Sequence, residues 1–208
     1  MTTSGAFQRI FAAFKAVEYL QRELHMKRSV LTFGVISGVM ISVLMNTALL
    51  VAKKIGPDHS MALGYTIMVA SFLLIYFGIR SYRDNELGGR ISFGRAFTCG
   101  ILITLITTVF YVVSWEIIYF NFIPHFMDGY FAAQIRHVQA SGADAATIAT
   151  KVAAIQHSQE LYQNPFVNAA YTFIEPFPVG LIITLISAAV LRRKAPVEPN
   201  AAHAAVTA

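Results

Sequence analysis

The sequence predicts an all-α membrane protein with four transmembrane helices, and three observations carry that prediction. Hydrophobic residues make up 56% of the chain and charged ones only 13%, a balance suited to a chain solvated by lipid rather than one folded around an aqueous core. The apolar residues are gathered into runs long enough to cross a hydrocarbon layer, which takes about 20 residues of helix. Lysine and arginine collect at the ends of those runs.

Residues 1–28 form a polar lead with helical periodicity, in which Phe7, Ile10, Phe11, Phe14, Val17 and Leu24 recur at three and four. An amphipathic helix lying on the cytosolic membrane surface fits this pattern, as does a loosely attached tail. A cleaved secretory signal does not fit, because the nearest apolar run starts late, is long enough to span and has no small-residue cleavage pattern before its flanking lysine.

The first span covers 29–52, free of charge and bounded by Lys27 and Arg28 before it and Lys53 and Lys54 after it. Gly34, Gly38, Ser42 and Asn46 recur along it at intervals of four, a spacing that lets two helix backbones approach closely and predicts packing at Gly34 and Gly38. Asn46 is expected to hydrogen-bond across helices. The turn IGPDHS leads into a second span at 61–79, which stops at Arg80. In the connection RSYRDNELGGR, Gly88 and Gly89 are free to take positive φ, and Ser92 is placed to cap the next helix. No Walker or dinucleotide spacing accompanies these glycines, so they carry no phosphate-binding motif.

The third span covers 94–122, with Trp115 and Tyr119 read as an aromatic belt at its far interface. Residues 124–163 make the one sizeable polar segment and are predicted to form an extracytoplasmic, periplasmic hairpin of two helices. The last span, 166–191, is interrupted by Glu175-Pro176-Phe177-Pro178 and closed by Arg192, Arg193 and Lys194. Pro176 and Pro178 each remove a backbone donor, so a kink is expected there. Residues 195–208, rich in Ala and Pro, are expected to be a disordered tail. The domain reading is therefore an N-terminal segment 1–28, a membrane domain 29–194 and that tail.

If the amino terminus is cytosolic, twelve of the 16 Lys and Arg residues fall on the inner side and four (Lys53, Lys54, Arg136 and Lys151) on the outer. The bias predicts both termini in the cytoplasm. Basic residues that sit beside apolar runs, rather than in a patch interleaved with exposed aromatics, argue against a nucleic-acid partner. Cys99, the single cysteine, lies inside an apolar run and permits no intrachain disulfide.

Several motifs are longer than composition alone would produce. YRDNELGGRISFGRAFTCG, Ser141-Gly142-Ala143, Asn164-Pro165 and above all EPFPVGLIITLISAAVLRRK resemble the bacterial family called domain of unknown function 4199, over about residues 28–194. The resemblance implies a four-span helical inner-membrane protein with no established activity. The segment up to about His25 precedes the family's usual start.

Two acids within the spans are the candidates for chemistry. Glu116 lies 21 residues beyond Arg95, and Glu175 lies 17 before Arg192. At ~1.5 Å per residue these are about 31 Å and about 25 Å from the basic boundary, and Asn46 is about 27 Å beyond Arg28. The three can share one layer. An ionisable group inside a span is costly and marks a candidate site, so Glu116 and Glu175 could hold a proton or a cation beside carbonyls that the prolines release. The plainer reading has Glu116 reaching interfacial water and Glu175 bonding across helices.

His59, His125, His137 and His157 make no local ligand pair, so no metal and no cofactor is expected. Arg80, Arg83, Arg90 and Arg95, with Arg192, Arg193 and Lys194, serve topology or meet anionic headgroups. The segments GILITLIT (100–107) and GLIITLIS (180–187) repeat each other, either as an inverted pair or as a shared packing stripe in which Gly100 and Gly180 are the small residues. No nucleophile–base pair or metal set supports an enzyme. The reading is a non-enzymatic accessory or scaffold-like membrane subunit, in contact with the bilayer and with a second copy or a membrane-protein partner. The alternative is a small proton- or cation-coupled transporter or channel using Glu116 and Glu175.

Overall fold

The structure is a computed structural model that describes the backbone of residues 3–55 and 57–193, and the side chains of 24–50 and 62–193. Lys194, the tail 195–208 and the amphipathic face expected over the first 23 residues lie outside the described side chains. Seven helices follow in order among the described residues: α1 (Thr3–Ile55), α2 (Pro57–Glu86), α3 (Phe93–Phe122), α4 (Asp128–Gln139), α5 (Ala145–Tyr162), α6 (Pro165–Ile174) and α7 (Pro176–Leu191). Four stretches are long and apolar enough to cross a membrane: Leu24–Leu50, Ala62–Glu86, Phe93–Phe122 and Pro165–Leu191.

Two boundaries differ from the sequence reading. No break marks residue 28, and α1 runs through it as one helix. Likewise α2 does not stop at Arg80. Its last turns are polar but self-supporting, with Arg80 paired to Asp84 at 3.5 Å and Asn85 donating to Ser81 at 3.1 Å, each one turn apart. Gly88 and Gly89 then end it at φ 59° and 80°, and the Gly89 amide folds back onto the Arg83 carbonyl at 2.9 Å. Ser92 caps α3 by accepting from the Arg95 amide.

The hub of the bundle is α3, which packs against α1, α2, α6 and α7. Among the described residues both α1 and α7 lie against the α2–α3 pair and not against each other, so they flank it on opposite sides. Ile41, Phe72, Ile75, Ile79 and Ile103 are fully buried along this seam, while Val43, Leu73, Phe77, Val109 and Ile186 point outward. Apolar side chains on every outer face make this a bundle that must be solvated by lipid.

Close backbone approach is what the glycines provide. A Cβ on Gly38 would lie 2.5 Å from the Phe110 ring, and one on Gly34 would lie 3.0 Å from Ile106. Across α3 and α7 the contacts are reciprocal. A Cβ on Gly100 would lie 2.8 Å from the Thr184 methyl and one on Gly180 would lie 2.5 Å from the Thr104 methyl, while the two hydroxyls bond at 2.9 Å. The repeated octapeptides therefore pack on one another antiparallel, and the shared-stripe reading accounts for them. Gly78, absent from the sequence-based set, does the same for α2, where an added Cβ would lie 2.5 Å from Ile103.

The span ends near His25, Glu86, Ile91 and Arg193 meet at one end of the bundle. His25 pairs with Glu86 at 2.9 Å, and the Arg193 amide donates to the Ile91 carbonyl at 3.0 Å. At the other end, α4 and α5 pack on each other, joined through Gly142 at φ 71°. Asp144 caps α5 by accepting from the Thr147 amide at 2.9 Å and its hydroxyl at 2.6 Å. Those bonds hold the Asp144 carboxyl below the ordinary aspartate range. The cap is thus fully effective above about pH 4 and fades as pH falls below that.

Candidate functional site

The three residues expected to share a layer each find a different environment. Asn46 on α1 donates from its side-chain amide to the Ser114 hydroxyl on α3 at 2.8 Å, the interhelical bond expected of it. Glu175 accepts from the Tyr111 hydroxyl at 2.9 Å. Glu116 buries Oε1 with no hydrogen-bond partner among the described residues. The geometry of α3 explains the separation, because Glu116 follows Tyr111 by five residues, about 7.5 Å farther along the axis and about 140° around it. No hydrogen bond joins the two carboxyl groups among the described residues.

The last span is interrupted at Glu175, which lies between α6 and α7 with φ −71° and ψ −59°. Pro176 sits at the first position of α7, where a missing amide hydrogen costs no helical bond. The chain stays in the right-handed helical region at Glu175, so this is not an unwound segment. Asn164-Pro165 is a break of another kind. Asn164 accepts from the Phe166 amide at 3.0 Å and Pro165 opens α6, so the dipeptide starts a helix.

A polar cluster that the sequence reading missed lies beneath α5. Asn168 is fully buried on α6, and its Oδ1 accepts from the Trp115 indole at 3.1 Å and the Thr172 hydroxyl at 3.2 Å. Its amide donates to the Tyr162 carbonyl at 3.2 Å, and the Trp115 indole also reaches the Tyr162 hydroxyl at 3.2 Å. Burial of Tyr162 among these groups raises its phenol above the ordinary tyrosine range. Gln163 donates to Tyr119 at 3.1 Å. The polar groups of Trp115 and Tyr119 are therefore bonded within the protein. They turn inward, with Tyr119 fully buried, because α5 and α6 supply the polar partners that lipid cannot. The available signal was Asn164, Asn168 and Thr172 at intervals of four, opposite Trp115 and Tyr119 at the same interval.

At the opposite end, Arg83 has partners that leave it to topology and not to a headgroup. It is 7% exposed and points inward, where Nε and Nη2 donate to the two Asp84 oxygens at 2.7 and 3.1 Å and Nη1 to the Leu191 carbonyl at 3.4 Å. It ties α2 to the last turn of α7 and cannot also reach a headgroup. Arg80, Arg90, Arg95, Arg192 and Arg193 are exposed around it. Arg83→Lys keeps the charge but loses the guanidinium fork, so it is expected to lower the melting temperature in detergent, whereas Arg90→Lys leaves it unchanged.

His125 pairs with Asp128 at 2.9 Å and His157 lies 4.0 Å from Glu160, each within one helical turn. Among the described residues no group of three or more His, Cys, Asp or Glu comes together. Several polar side chains inside the bundle join helices, while the buried hydroxyls of Ser71, Thr107 and Thr108, like Glu116 Oε1, have no partner among the described residues. Ser37 donates to the Ser71 carbonyl at 2.8 Å, Ser42 to the Phe110 carbonyl at 3.3 Å, and Thr104 meets Thr184 as above.

Apolar outer faces, four spanning helices and an interior joined by such bonds define an integral multi-pass helical membrane protein. The chain belongs to the family described as Protein of unknown function (DUF4199), which matches residues 32–193. No curated protein and no solved structure matches it.

Proposed function

We propose that the chain is a non-enzymatic accessory or scaffold-like subunit of a bacterial inner membrane, with both termini facing the cytoplasm. The observation that carries the reading is the use to which polar groups inside the spans are put. Asn46, Ser37, Thr104, Thr184, Tyr111 and Glu175 hydrogen-bond between helices, whereas a conduction path needs such groups free along a route. The orientation rests on Arg80, Arg90, Arg95, Arg192 and Arg193, which lie exposed at the bundle end shared by His25 and Glu86.

Proteoliposomes given a pH gradient or a potassium diffusion potential are expected to leak no faster than protein-free vesicles. A flux abolished by Glu175→Gln would instead select a transporter. Cross-linking in native membranes is expected to trap the chain with a second polypeptide, either another copy or a distinct membrane protein, at fixed stoichiometry. A monomer throughout would end the accessory reading. For orientation, Ser141→Cys is expected to react with an impermeant maleimide added outside the cell, while Cys99, fully buried, stays unlabelled. Labelling of residue 141 only after the membrane is opened would reverse the assignment.

A further inference from the structure

We propose that Glu175 is the docking point for a partner protein's membrane-spanning helix that carries a lysine or arginine at the same depth, the two side chains forming an ion pair on the open side of the last span. Such a partner presupposes the accessory role proposed above and gives it a chemistry. Glu175 accepts from the Tyr111 hydroxyl through Oε2 at 2.9 Å, while Oε1 makes no hydrogen bond and the carboxyl no ion pair among the described residues. Despite that one bond the residue is exposed.

Depth makes this exposure costly. In the last span Glu175 stands ten residues after Pro165 and 16 before Leu191, about 15 Å and about 24 Å from the two ends at ~1.5 Å per residue. Phe166 is 87% exposed on its outer side and Ile182 57% exposed on its inner side, so apolar surface continues past the acid in both directions. Lipid offers no donor to a carboxyl there, and an acid at such a depth is met by the bundle interior, by water or by an opposite charge.

The surroundings leave room for a helix. Helix α7 packs against α2, whereas no contact joins α6 to α2 among the described residues, so the last span parts from α2 at Glu175. Tyr65 of α2 is close enough to Tyr111 to interact with it electrostatically, and Tyr171 lies one turn before Glu175. Both are exposed, at 50% and 52%, and they edge the opening beside the carboxyl.

Charge complementarity selects the occupant. No Lys, Arg or His occurs at 29–52, 62–79, 96–122 or 166–191, so a second copy would bring another acid to this face and no cation. A basic residue on a foreign helix satisfies the remaining oxygen and cancels a charge that lipid does not hold.

The test is position-specific cross-linking of the full chain in native membranes, with p-benzoylphenylalanine at Ile174, at Ile182 or, on the far side of the bundle as a control, at Val43; all three side chains are exposed. Irradiation is expected to give one discrete adduct at Ile174 and Ile182 and none at Val43, with the linked residue, located by mass spectrometry, in a span that holds a lysine or arginine. Glu175→Gln keeps a side-chain oxygen for the Tyr111 hydroxyl and should lower the adduct yield at least about tenfold. Tyr111→Phe removes that hydrogen bond but leaves the acid, so the adduct should persist. An adduct with a second copy, a linked span without a basic residue, no adduct at either position, a yield that Glu175→Gln does not move, equal loss in Tyr111→Phe, or a flux that Glu175→Gln abolishes would each overturn the ion pair. A partner held at fixed stoichiometry with its yield unmoved by Glu175→Gln would leave the accessory role standing, whereas a monomer throughout would end both.

Discussion

Gly180→Ala is expected to destabilise the bundle by about 1–3 kcal/mol, the usual cost of forcing an extra methyl into a packed core. The added Cβ would sit 2.5 Å from the Thr104 methyl and 2.9 Å from the Phe72 ring, and real Cβ atoms do not approach that closely. Thr104→Ser removes the offending methyl while keeping the hydroxyl that bonds Thr184 at 2.9 Å. The double variant should therefore recover part of the loss, a coupling that two unrelated defects would not produce. Gly94→Ala serves as the control, since a Cβ there meets nothing within 4 Å. Steric trapping or denaturation in mixed micelles would measure all four proteins. Equal stability of the Gly180 and Gly94 variants would refute the close α3–α7 contact.

Asn168→Leu is expected to cost about 2 kcal/mol, near the upper end of what single interhelical polar contacts contribute in membranes. The side chain is fully buried and serves three partners, so leucine leaves the Tyr162 carbonyl without its donor and the Trp115 indole with only the Tyr162 hydroxyl. Thr172→Val removes a single donor to Asn168 and should cost less, about 0.5 kcal/mol. Because Trp115, Tyr162 and Asn168 share their bonds, combining Asn168→Leu with Trp115→Phe should cost less than the sum. The second readout is local. Amide exchange in the last turn of α5 should rise in Asn168→Leu while the buried α2–α3 seam stays protected. Unchanged exchange in α5 would show that this cluster does not hold α5 to the spans.

Both predictions rest on contacts of the kind that sequence patterns describe unevenly. Small residues at intervals of four announce a face that another helix can approach, and Gly34, Gly38, Gly100 and Gly180 were legible for that reason. Gly78 stands alone on α2 without such a series, and only the placement of Ile103 opposite it reveals its role. Arg83 looked like its neighbours Arg80 and Arg90, because a basic residue beyond an apolar run has the same sequence signature whether it turns outward to a headgroup or inward to the Leu191 carbonyl. Trp115 and Tyr119 carry the same ambiguity. Aromatic side chains with a polar tip do favour interfaces, but they favour a buried partner equally when a neighbouring segment supplies one. The membership in a family also came from ordered motifs, which carry more information than hydropathy and equally little about an activity.

The number of crossings, the close-packing glycines and the helix boundary at Glu175 follow from local properties: run length against bilayer thickness, the absence of a side chain, the absence of an amide hydrogen. Those properties belong to each segment wherever it packs. Which polar groups meet is another matter, because it depends on how each helix is rotated and how far it is shifted along its neighbour. Five residues between Tyr111 and Glu116 were enough to send one toward Glu175 and leave the other's Oε1 without a partner. Such rotations are set by the sum of many interhelical contacts, as in the α3–α7 pairing through Thr104 and Thr184, so they emerge only once the whole bundle is assembled.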